Sequence, residues 1–361
     1  MNIKLAIFGP YPPPIGGISL FIKKLNLFIN KRFETEVFII NEFGSHKENK
    51  SIYNLSSNSK IVYLFRLLYY LFFINTSKYI YYHGVHGVTR FILVIFSKIL
   101  KYEVIFHFHG KSVIHFHKKN WLSKMISSFY LQRAKKLIAV NDDIINKLKS
   151  FIPSLKIENI PAYLPSFESN SNNKIENFIN KLDSEKKYYL SYGTLDKAKN
   201  GKYNYGITDL LNFFNRKTIR EGQISLILVV ILYKKENFEE FNKNLSTLLE
   251  KENSNIKVFI NQGGTQLIPF FKYVEGYIRW THEDGLGVSL IEALDYGISA
   301  IATNVCKRPK GVKIFDINKP AELESYILKP NKNKVEHKRV DYQKMYIELF
   351  EGLNFQLKER Y

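Results

Sequence analysis

Two rhythms of apolar residues alternate along the chain. Short runs of strand formers stand at 3–8, 36–41, 78–82, 104–109, 137–140 and 157–160. Between them lie stretches whose apolar positions recur every three or four residues, the spacing of a helix with one buried face. Residues 18–28 show that spacing well, with Ile18, Phe21, Ile22, Leu25 and Phe28 on one side. A helix is predicted over 87–100, and another opens at Asn141-Asp142, residues that suit a helix start. The alternation resumes after residue 186, with strands at 188–193, 224–232, 256–260, 276–278 and 298–302 and a terminal helix over 338–353. Alternating strands and helices predict an α/β protein with two doubly wound, Rossmann-like domains. The Ser- and Asn-rich stretch 165–173 reads as the linker. It separates an N-terminal domain, 1–165, from a C-terminal domain, 186–335, leaving 336–361 for the last helix.

Composition narrows the class. A chain of 361 residues with 45% apolar residues suits two domains, each able to bury a core. The longest apolar runs, 61–74 and 91–100, fall short of the roughly 20 residues needed to span a bilayer, and Arg66 and Lys98 interrupt them. No secretory leader pattern is visible near residues 5–8, and the one cysteine, Cys306, excludes an intrachain disulfide. A soluble or peripheral cytoplasmic protein is expected. Charge adds a partner: the net is +20, of which +15 lies in residues 1–165. Such a field attracts polyanions. Nucleic acid is not expected, because no recognition helix, zinc finger or RNP-like aromatic stretch accompanies the charge. An anionic membrane surface suits it better, since residues 63–70 combine aromatics with Arg66. The other explanation is a Lys- and Asn-rich coding bias.

Candidate chemistry is densest in residues 282–304. Asp284 and Glu292 stand eight positions apart around the turn Gly285-Leu286-Gly287, which opens an apolar-periodic helix ended by Gly297. A turn into a helix presents unpaired N–H groups at the positive end of the dipole, a place for phosphate. The two acids supply acceptors for sugar hydroxyls, so a nucleotide-sugar fits the set. The bland reading is that Asp284 only caps its helix. The ordered run resembles the C-terminal signature of family-4-like GT-B glycosyltransferases: an acid, seven residues, Glu-Ala, then a Gly-hydrophobic-Pro turn. That resemblance implies that Asp284 holds hydroxyls of the transferred sugar, that Glu292 holds the ribose, and that the two domains face a cleft. It also implies that the last helix crosses back to the N-terminal domain. Asp284 departs from the family's usual Glu, and Ser299 from its Pro. The flanks 277–281 and 307–311 look like a subgroup that builds bacterial surface polysaccharides of the O-antigen or capsule type.

Three further stretches bear on the site. Gly16 and Gly17 follow the first strand and a proline-rich loop, and resemble the family's loop near the donor diphosphate; the dinucleotide fingerprint itself is absent. His109-Gly110 ends a strand and resembles the family's substrate-cleft histidine, although His107, His115 and His117 crowd the same segment. A metal held by that cluster is not expected, because no Cys or carboxylate joins it locally. The diphosphate clamp departs from the family: Thr194, not Arg, follows Gly193. Lys197, Lys199, Lys202 and Arg279 are the substitutes, and without an Asp-x-Asp motif a metal-free site is expected. The implied activity is a retaining hexosyl or N-acetylhexosaminyl transfer, without a cofactor, from a nucleotide-sugar donor to a lipid-linked or oligosaccharide acceptor at the inner face of the plasma membrane. The alternatives are a GT-B-like sugar-nucleotide epimerase and a basic nucleic-acid-binding protein.

Overall fold

The computed structural model describes residues 3–12, 17–43, 51–110, 112–165, 173–198, 201–232, 242, 255–262, 267–284, 287–328 and 340–358. The chain forms two compact units, Met1–Leu164 with Asp341–Tyr361, and Pro165–Val340.

Unit 1 begins with β1 (Ile3–Gly9), α1 (Gly17–Arg32), β2 (Thr35–Asn41) and β3 (Ile52–Asn54). It continues with α2 (Lys60–Tyr69), β4 (Tyr79–Tyr82), α3 (Gly87–Ser97), β5 (Glu103–Phe108), α4 (Ser112–Lys119), α5 (Trp121–Arg133), β6 (Lys136–Ala139), α6 (Asp142–Phe151) and β7 (Ile157–Asn159). The strands form one seven-stranded sheet in the order β3-β2-β1-β4-β5-β6-β7, every pairing parallel. The chain runs outward from β1 and then returns to its other side at β4. Right-handed crossovers therefore put α1 on one face and α2, α3 and α5 on the other. Tyr346, from a helix near the carboxyl end, packs on Phe21 and Phe28 of α1, and its hydroxyl donates to the Pro161 carbonyl at 2.8 Å.

Unit 2 runs through α7 (Asn173–Ile179), β8 (Lys187–Thr194), α8 (Ile207–Phe214), α9 (Lys217–Glu221), β9 (Ile224–Leu232), β10 (Ile256–Gln262) and α10 (Ile268–Phe271). After these come β11 (Gly276–Arg279), α11 (Val288–Asp295), β12 (Ser299–Thr303), β13 (Lys313–Phe315) and α12 (Pro320–Leu328). The helix that packs on α1 is α13 (Tyr342–Glu351). The sheet order is β10-β9-β8-β11-β12-β13, again parallel. β9 shows why its sequence is apolar throughout: Leu226, Leu228 and Val230 enter one core, and Ile227 and Val229 enter the other. Both faces of the strand are covered.

Among the elements that the sequence expectation lacks are β3, β13 and α2. β3 and β13 are only three residues long and carry no alternation to read. α2 has apolar residues all round, so no single stripe marks it. It runs on into a π-turn, Tyr70–Ile74, where the Asn75 N–H donates to the Tyr70 carbonyl at 2.8 Å. Among the described residues no helix is long and apolar enough to cross a membrane.

Candidate functional site

In a doubly wound sheet, ligands settle outside the carboxyl ends of the strands where the strand order reverses. In unit 2 that point lies between β8 and β11. Arg279, the last residue of β11, is buried there. Its Nε and one terminal nitrogen donate to the two oxygens of Asp284 at 2.6 and 2.7 Å, a bidentate pair. The other terminal nitrogen donates to Ser289 Oγ of α11 at 3.1 Å, an atom that also accepts from the Tyr277 hydroxyl at 2.8 Å. The guanidinium lies over Tyr205, 5.2 Å from its ring centre, and near Tyr192. Gly287, the N-cap of α11, adopts φ +74°. A Cβ there would stand 3.2 Å from Arg279 Cδ and Nε, so both the backbone and the approach of the arginine favour glycine.

A second arginine completes the cluster. Arg308, in the loop after β12, donates to the same Asp284 oxygen as Arg279 Nε. It also bonds Thr281 Oγ1 at 3.0 Å, Thr303 Oγ1 at 3.2 Å and the Thr303 carbonyl at 2.9 Å. Burial alone would push the Asp284 carboxyl up, but hydrogen bonds and charge from Arg279 and Arg308 outweigh it and hold it well below the usual carboxylate range. The cluster is therefore two cations around one permanent anion. Such a cluster presents positive charge to a phosphate and keeps its guanidinium planes oriented.

The remaining predicted residues of unit 2 lie around it. Glu292 is half-buried in the middle of α11. Lys197 forms a bridge with Tyr203 and lies over its ring, while Lys202 stands 4.0 Å from Asp209. Lys197 thus engages its own loop, and Lys202 lies beside the first turn of α8. Thr194 Oγ1 donates to Asp196 at 2.7 Å. Gly16, Lys199, Gly285 and Leu286 lie outside the described residues. A concavity of about 360 Å³ in the same unit is lined by Lys202, Asp209, His282, Glu283 and Val305 among others, and none of Arg279, Asp284 and Arg308 is in its lining. His282 Nε2 and Asp209 meet at 3.0 Å on its wall.

The corresponding edge of unit 1 carries histidines. Gly9 ends β1 and Gly17 opens α1. His83 follows β4, and His109 follows β5, one residue past the strand. His83 Nδ1 and His109 Nε2 are 2.9 Å apart, one donating to the other. His107 Nε2 donates to the Ile160 carbonyl at 2.9 Å, which leaves Nδ1 to accept from the Tyr81 hydroxyl at 3.0 Å. Burial pushes the His107 imidazole down to about 3 and the imidazoles of His83 and His109 well down too, so all three are neutral at pH 7. A half-buried neutral His109 suits hydrogen bonding to a hydroxyl. His115 is exposed, and His117 bonds Ser127 at 2.7 Å, so neither joins this group. Ligand atoms of His83, His107 and His109 lie within 4.8 Å of one another. Both His107 nitrogens are engaged, however, and a divalent ion would add charge beside the Arg90 guanidinium that already acts on His109.

Arg308 and His83 were not among the residues expected from the sequence. Arg308 could have been found as a cation in the loop that follows a strand at the carboxyl-end edge of unit 2. His83 carries the same signal after β4, yet nothing in its spacing links it to His109.

No protein-family profile matches the chain, and no curated protein does. Solved structures do match. HepE from Anabaena in complex with UDP and glucose is 12% identical, with a TM-score of 0.65 over 98% of this chain and 100% of that one. The fold is GT-B. The apo lipopolysaccharide outer core galactosyltransferase WaaB is 14% identical, with a TM-score of 0.61 over 97% and 100%. A UDP-GlcNAc 2-epimerase from Methanocaldococcus jannaschii is 16% identical, with a TM-score of 0.62 over 97% and 100%. Two parallel sheets with interleaved helices are the GT-B arrangement of Rossmann-like domains seen in these enzymes.

Proposed function

We propose that this GT-B protein is a metal-independent retaining glycosyltransferase. It moves a hexosyl or N-acetylhexosaminyl group from a nucleotide-sugar to a lipid-linked or oligosaccharide acceptor in assembly of an O-antigen- or capsule-type polysaccharide, at the inner face of the plasma membrane. The observation that carries the reading is the pair of buried guanidinium groups on Asp284 at the switch point of unit 2. Arg279 and Arg308 face the donor diphosphate, and Asp284 acts through them as well as toward the sugar. Glu292 takes a ribose hydroxyl. The acceptor oxygen attacks the anomeric carbon on the face that the phosphate leaves. The bond from that carbon to the phosphate oxygen breaks, and the acceptor's proton passes to the departing phosphate. The arginines and the start of α11 stabilise the charge that develops. His109, neutral and propped by His83, donates to a hydroxyl on the acceptor side.

A second reading is favoured by the likeness to the epimerase: action on the nucleotide-sugar alone. Incubation with a panel of nucleotide-sugars, with and without membrane extract, separates the two. Transfer needs the extract, whereas epimerisation proceeds without it. Glu292→Gln is expected to weaken donor binding by about 1.5–3 kcal/mol, the worth of a charge-assisted hydrogen bond, as read by calorimetry. A chelator is expected to leave the transfer rate unchanged, and loss of activity restored by manganese would sink the metal-free mechanism.

A further inference from the structure

The side of unit 1 that carries α2, α3 and α5 is unusually apolar for a surface. Ile61, Phe65 and Phe73 in α2 and its π-turn are 67%, 68% and 77% exposed, and Trp121 of α5 is 72% exposed. These helices are neighbours. The Tyr63 hydroxyl lies 3.1 Å from Thr89 Oγ1, the Phe72 ring is 5.1 Å from Phe96, and Phe91 meets Phe129 at 5.3 Å. Exposed apolar side chains gathered on one side of a domain mark a surface that is covered in use.

Charge identifies the cover. Between Glu48 and Asp142 the sole acidic residue is Glu103, and it is paired with Lys135 at 3.0 Å. Lys98 and Lys101 just past α3, Lys118 and Lys119 at the end of the preceding helix α4, and Lys124 of α5 are all exposed. A second copy of the chain would bring those cations against one another. A nucleic acid would leave the phenylalanines without a partner. An interface of lipid headgroups over acyl chains accepts both at once. We propose that this face docks on a bilayer containing anionic lipid, with Phe65, Phe73 and Trp121 entering the headgroup region. The proposal deepens the reading of a lipid-linked acceptor by naming the surface that meets the membrane. It also changes the residues expected from the stretch 63–70, since the Tyr63 hydroxyl donates inward to Glu42 at 2.7 Å and Tyr70 is buried.

The chain has two tryptophans, and Trp280 is buried, so a change in emission reports Trp121. Full-length protein is mixed with vesicles of phosphatidylcholine alone or with phosphatidylglycerol added, and binding is followed by flotation and by tryptophan emission. The expected result is binding to the anionic vesicles only, with a blue shift and a fraction that resists a high-salt wash. Phe65→Ser with Phe73→Ser should weaken binding at least tenfold and remove the salt-resistant fraction. Lys118→Gln, Lys119→Gln and Lys124→Gln together should weaken binding while keeping the blue shift at saturating lipid. Equal binding to both vesicle types, no blue shift, or wild-type behaviour of the phenylalanine variant overturns the proposal. So does a wild-type dimer, by sedimentation, that the phenylalanine changes convert to a monomer, because a second copy then covers the face. Binding of UDP and GDP is measured on the same samples and should be unchanged in the variants. Failure of the wild type to bind any nucleotide would count against the transferase reading and leave the vesicle result standing.

Discussion

The carboxyl-end edges of the two sheets share a topology and differ in how they handle charge. In unit 1, burial dominates: the imidazoles of His83, His107 and His109 are driven to the neutral form, and Glu42, at the end of β2, is pushed up to about 7. In unit 2, pairing dominates: Asp284 is almost as buried, yet two guanidinium groups keep it ionised. The same fold thus leaves neutral imidazoles at one edge and paired charges at the other. Partners decide the outcome, because a buried group with a good counter-charge keeps its charge and one without it gives the charge up.

The largest expected effect is the acid response of unit 1. The folded-state value of His107, about 3, lies below its ordinary 6.5. Its contribution is complete above pH 6.5 and disappears as the pH falls toward 3, a loss of on the order of 4–5 kcal/mol. Urea unfolding of the Glu42→Gln variant at pH 7 and pH 4, in which the opposing titration of Glu42 is removed, should show unit 1 weakening while unit 2 holds, since Asp284 keeps its charge to well below the usual carboxylate range. Equal weakening of both units would remove the contrast. Next in size, Asp284→Ala should cost unit 2 about 3–5 kcal/mol, because Arg279 and Arg308 are left buried without their shared anion; urea unfolding at pH 7 measures it, and a change under 1 kcal/mol would mean that solvent already screens the pair. The smallest of the three runs with the opposite slope. Glu42 has a raised folded-state value, so its favourable contribution is present below pH 4.5 and is lost as the pH rises through about 7. Glu42→Gln should therefore match the wild type at pH 4 and exceed it by about 3 kcal/mol at pH 8, and identical curves would place water beside the carboxyl.

The parts legible in the sequence were those set by local periodicity. The apolar faces of α1 and the doubly buried β9 follow directly from residue spacing, and they lead to two doubly wound sheets. α2 was not legible, because its outward face is apolar too. In the site, the order Arg279, Asp284, Glu292 was visible as a run. That Asp284 is shared with Arg308, 24 residues further on, depends on β11 and β12 lying side by side. The partnership of His83 with His109 likewise needs β4 and β5 to be neighbours. Such contacts come from strand order, which no short spacing encodes. The lysines at 197 and 202 show the converse: a sequence rich in cations says nothing about which of them turn to neighbours a few residues away.

The π-turn at Tyr70–Ile74 has a consequence for how this surface changes over generations. A π-turn holds one residue more than the α-helical turn it replaces. Deleting a single codon within it would return the segment to α-helical register while the residues after it keep their facing, because the wider turn is what absorbs the extra residue. Insertion or deletion of one residue is therefore absorbed at this turn, and chain length can change here without turning the exposed Ile61 and Phe65 of α2 away from the surface.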